Sequence, residues 1–174
     1  MIKIQNSQKM KFNSVKEYFY RLNNTGYQLM MVPLILFIYY YGSAYAFTAR
    51  TWISNATLTL YILIGVVTFA LIALTAVHFF VRAKAEKISK QTGLGLKLEL
   101  LGSVLMKRMI VQGLIILMMP VGLVLTHHLG FTFGFIVLLA WFFLHWPTPT
   151  QVCNLLKLKG DEKEMVLSKG EAFK

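Results

Sequence analysis

Acidic side chains are scarce in this sequence: seven Asp and Glu in 174 residues, against 18 Lys and Arg, for a formal net charge of +11. Three tracts carry no charged residue at all, residues 22–49, 51–81 and 109–156, or 28, 31 and 48 positions. Ion-coupled transport through a membrane relies on an ionisable group held inside it. Lack of a carboxylate in any of these tracts argues against a small four-span drug/proton antiporter and against a stator-type proton channel. Cysteine is almost missing. The single Cys153 excludes an intramolecular disulfide and any Cys-based zinc or iron–sulfur site, and its expected cytoplasmic position favours a free thiol. GxSxG, P-loop, HExxH and CxxC motifs are likewise missing, so no nucleophile or metalloprotease constellation is present and no enzyme is expected.

Apolar residues are what the chain has instead: 56% hydrophobic, 14% aromatic and a mean hydropathy of +0.58, a balance outside the soluble globular class. A bilayer span needs roughly 20 apolar residues, so the third tract is long enough for two and the total is four. The fold class expected is an all-α integral membrane protein. Its four transmembrane helices fall at residues 27–47, 56–80, 109–126 and 129–146, with amphipathic cytoplasmic or interfacial helices at the N-terminus and after the fourth span.

The basic residues follow the same map. Five precede the first span, seven lie in the 82–108 loop and five follow the fourth span, leaving only Arg50 between spans one and two. The positive-inside rule then places the N-terminal segment 1–26, the middle loop and the tail 147–174 in the cytoplasm of a multi-pass protein of the cell (inner) membrane. The basic pI is accounted for by anionic headgroups, without nucleic acid. Two processing signals are weighed and set aside. Ala44-Tyr45-Ala46 resembles a signal-peptidase site but follows an overlong basic region, and the sequon Asn55-Ala56-Thr57 reads as chance.

Local grammar marks the helix ends. Ser14 and Glu17 have capping-box spacing, and Val15, Tyr18, Phe19 and Leu22 then recur as an apolar stripe suited to a helix lying in the interface. Pro33 predicts a kink in span one. Thr92-Gly93-Leu94-Gly95 is the clearest breaker, with spans two and three running on into the cytoplasm on either side of it. A turn at His127-His128 makes spans three and four a tight hairpin. Thr148-Pro149-Thr150-Gln151 reads as an N-cap, an N1 proline and a capping-box Gln, opening a short helix closed by Lys159 and Gly160. Met165, Val166 and Leu167 form a patch suited to docking.

Contact candidates follow from small residues, because close approach rather than hydrophobicity brings helices together in lipid. They are Ala70, Ala73 and Ala76 in span two, Gly130 and Gly134 in span four, and Val152, Leu155 and Leu156 in the capped helix. Among the histidines, the charge map puts His78 and His145 on one membrane face and the adjacent pair His127 and His128 on the other. His78 and His145 are thus the one geometrically feasible axial pair for haem. Interfacial hydrogen bonding is the preferred reading, so no cofactor and no metal are expected, and Asp161, Glu162 and Glu164 read as a solvated face. The function expected is a non-enzymatic accessory or scaffold subunit, with membrane lipid and other membrane-protein subunits as partners. A small homo-oligomeric transporter or channel is the alternative, and a haem-binding electron-transfer subunit ranks third.

Overall fold

A computed structural model describes residues 14–46 and 52–170, without the side chains of 44–46; Arg50 and the first 13 residues lie outside them. The described residues form an all-α chain of six helices: α1 Val15–Ala46, α2 Ala56–Ser89, α3 Leu94–Thr126, α4 Leu129–Leu144, α5 Pro149–Leu156 and α6 Gly160–Leu167. By length and composition, α2 and α3 are each able to cross a membrane. A third crossing is counted if α4 and α5, which meet at a 69° bend, are taken as one broken span. Several apolar helices of this kind are consistent with a multi-pass membrane protein.

α3 is the central element: 56% of its most apolar stretch is buried, against 11% for α2. One face of α2 meets it, with Ala70, Leu74, Val81, Ala85 and Ile88 buried at near-heptad spacing. The rest of α2 presents Leu60, Ile64, Phe69, Leu71, Ile72 and Phe79 outward. α1 lies on another flank of α3. Its amphipathic stretch is not a separate helix, because the chain continues helical through Asn23, Gly26 and the buried Pro33 to Ala46. The apolar stripe Tyr18, Phe19 and Leu22 is buried instead of lying free in an interface. Gly102 of α3 makes room for it: a Cβ there would come within 2.7 Å of the Tyr18 ring.

Helix ends explain the turns. Asn55, the sequon residue, caps α2 by accepting from the backbone N–H of Thr57 and Leu58. Gly93, at φ +91°, adopts a backbone that other residues resist, and this fixes the break between α2 and α3. His127 closes α3 in the left-handed region while the His128 imidazole accepts from Gly130 N–H to open α4. α4 has only 16 residues, about 24 Å at 1.5 Å per residue, which is shorter than a hydrocarbon core of about 30 Å.

Thr148 caps α5 through a bond from Gln151 N–H, yet the second half of the capping box is not made. Gln151 Nε2 donates to the Leu144 carbonyl, satisfying the end of α4 instead. α5 closes earlier than the sequence suggests, at Lys157 in the left-handed region, with Leu158 N–H returning to the Cys153 carbonyl. Gly160 then begins α6 instead of ending α5. α6 buries Val166 completely and is joined to α3 by a 2.8 Å ion pair between Glu162 and Lys97, so Val166 is core and not a docking patch.

Candidate functional site

α2, α3, α4 and α5 converge around a cavity of about 320 Å³. Leu74, Val77 and Val81 of α2 form its apolar wall, together with Trp141 and Leu155. The polar wall is more unusual. Arg82 and Arg108 supply two guanidinium groups, His78 and His145 two imidazoles, and Gln112, Gln151 and Asn154 three carboxamides. No Asp or Glu is among the described residues that line it.

Arg108 is 9% exposed, although the sequence places it in the loop just outside the third apolar tract. α3 runs unbroken through this position, so the side chain is enclosed by neighbouring helices rather than solvated. One of its terminal nitrogens, Nη2, donates to the backbone carbonyl of His145, where α4 has ended and carbonyls lack helical partners. A cation there also favours the negative end of the helix dipole. Its Nε is buried with no hydrogen-bond partner.

The histidines separate as the charge map implies. His78 and His145 meet with ring centroids 6.2 Å apart and planes at 90°. His145 is further held by stacking on Trp141 at 4.3 Å and by a 3.0 Å contact between Nδ1 and the Trp141 carbonyl. His127 and His128 act in the turn at the far ends of α3 and α4. Among the described residues, no group of three or more His, Cys, Asp or Glu is placed to hold a metal.

All the small-residue candidates but Ala76 pack, wholly or in part, within the chain. A Cβ on Gly130 would meet Leu63 of α2 at 2.5 Å, and one on Gly134 would meet Met119 of α3 at 2.9 Å. Ala70 is buried and Ala73 half-buried, whereas Ala76 faces outward, because the inward face repeats nearer 3.5 than 3. Val152 and Leu156 are buried and Leu155 is half-buried on the cavity wall. Apart from Ala76, these residues contribute to packing within the chain.

A second cavity of about 430 Å³ lies between α1 and α3, lined by Tyr18, Arg21, Glu99, Ser103 and Lys107 among others. Burial raises the Tyr18 hydroxyl above the ordinary tyrosine range, with the positive charge of Arg108 acting in the other direction. Cys153 is buried, its Sγ 3.8 Å from the Lys163 carbonyl, and desolvation raises its thiol pKa.

No known protein family, no curated protein and no solved structure matches this chain.

Proposed function

We propose that this chain is a four-span protein of the cell (inner) membrane with both termini cytoplasmic, acting as a non-enzymatic accessory or scaffold subunit of a larger membrane complex. The supporting observation is the contrast between α3, with 56% of its most apolar stretch buried, and α2, with 11% of the corresponding stretch covered by its own chain. A 34-residue helix with so little intramolecular packing offers a long apolar flank to lipid and to a neighbouring span. Association in lipid draws on packing and polar contacts, so a partner helix would read the shape of this flank rather than its hydrophobicity. Four spans require α1 and the short α4 to cross as well. Pro33 within α1 is tolerated in a membrane helix, and α4 is accommodated by local thinning of the bilayer.

Photo-crosslinking in native membranes tests this. A photoreactive residue at Ile72 or Phe79, on the open flank of α2, should join the chain to a different integral membrane protein at defined stoichiometry. Adducts only with lipid, or only with a second copy of the same chain, would contradict the accessory role; the latter would favour the homo-oligomeric transporter.

A further inference from the structure

We propose that the cavity between α2, α3, α4 and α5 binds a phosphate monoester, presented by a lipid headgroup or by a soluble phosphorylated compound. The inference starts from an imbalance of charge. Arg108 is nine-tenths buried, faces a cavity with no carboxylate among its described lining residues, and makes a single hydrogen bond to a neutral carbonyl while its Nε makes none. A buried cation without a counter-ion is costly, and none of the described residues lining the cavity offers it an anion.

The donors present match phosphoryl chemistry. A guanidinium is a planar fork suited to two phosphate oxygens, and a second one, Arg82, is exposed at the edge of the same cavity. The Gln112 carboxamide adds a neutral donor, and the His78 and His145 imidazoles line the same cavity. Two fixed positive charges suit a phosphate monoester, which carries between about 1.5 and 2 negative charges at neutral pH, better than a carboxylate carrying one.

Depth agrees with the chemistry. Residues 109–126 of α3 span about 27 Å, so Arg108 falls where the hydrocarbon ends if α3 crosses the membrane. α4 stops at the same level and turns by 69° into α5, which leaves the polar cluster beside the headgroups and the wall of Leu74 and Val77 beside the acyl chains. Membrane placement bears only on the source of the ligand, not on the anion site itself.

The test is a binding titration of the purified full chain in neutral detergent, with dihexanoyl phosphatidic acid, glycerol 3-phosphate and dihexanoyl phosphatidylcholine as probes. Dihexanoyl phosphatidic acid should bind saturably at one per chain, and phosphatidylcholine should not. Arg82→Gln, at an exposed position where folding is not at stake, should weaken binding about tenfold. Arg108→Gln should weaken it further. Glycerol 3-phosphate binding as tightly as the lipid assigns a soluble ligand, and binding of the lipid alone assigns a headgroup; both support the site. Equal binding of phosphatidylcholine, no saturable binding of either phosphate, or affinity unchanged in Arg82→Gln would overturn it. So would a Soret absorbance in the purified protein that disappears in His78→Gln, since haem would then occupy the cavity. None of these readouts requires a partner subunit, so failure of the accessory role leaves the result interpretable.

Discussion

The Trp146 indole Nε1 donates to Asn23 Oδ1 at 2.9 Å, joining the end of α4 to α1 across 123 positions of sequence. The same ring lies tilted against Tyr27, with centroids 4.9 Å apart, and over Gly26, where an added Cβ would come within 2.7 Å of it. Asn23→Ala should therefore cost about 1 kcal/mol, the usual net worth of one partly buried hydrogen bond. Trp146→Phe removes the donor from the other side. Unfolding of both single variants and the double variant in detergent should show coupling between the two positions, and strictly additive losses would mean that the bond contributes nothing.

Glycine contacts divide the helices into a packed centre and an open flank. Gly122 of α3 sits against the fully buried Phe131, whose ring fills the space an added Cβ would need, whereas nothing approaches Gly65 of α2 within 4 Å. Gly122→Ala is expected to destabilise by about 1–3 kcal/mol through overpacking. Gly65→Ala should be neutral or stabilising by up to about 1 kcal/mol, as helix propensity dictates. Similar thermal shifts for the two would refute this division.

The Thr148 cap sets the start of α5, whose Val152 and Leu156 are core residues. Thr148→Ala should cost about 1 kcal/mol of local stability. Hydrogen exchange across residues 152–157 reads this directly: faster exchange in the variant is expected, and unchanged exchange would show that the cap is idle.

Burial and the raised thiol pKa make Cys153 a poor nucleophile, because the thiolate is the reactive form and less of it is present at a given pH. Maleimide labelling of the folded protein at neutral pH should be slow and should accelerate as the pH rises. Full labelling at neutral pH as fast as in denaturant would mean that α5 and α6 do not cover the thiol.

Much of the local structure was legible because its causes are local. The Thr92–Gly95 breaker, the His127-His128 turn and the Thr148 cap each depend on a few adjacent residues with defined backbone preferences, and each lies at an observed helix end. The candidate site was only half legible. Charge distribution brings His78 and His145 to one face, but the same reasoning assigns Arg108 only to the end of the cytoplasmic 82–108 loop, since a basic residue bordering an apolar tract ordinarily marks the interface. The helical run of α3 through this position is expected; what the reasoning misses is that the helix is covered there on several sides, which depends on contacts such as that between Arg108 and His145, 37 positions apart. Val166 was misread for the same reason: the short apolar group in a charged tail gives no sign that Lys97 and Glu162 will fasten it to α3.

Topology is the claim on which the proposed membrane role depends, and two single-cysteine variants test it most directly. In a Cys153→Ser background, Lys90→Cys, in the turn after α2, and Asn55→Cys, at the start of the same helix, are exposed positions at opposite ends of α2. Treatment of intact cells with a membrane-impermeant maleimide should label the cysteine at position 55 and leave that at position 90 untouched until the membrane is permeabilised. Labelling of position 90 in intact cells, with position 55 protected, would contradict the account.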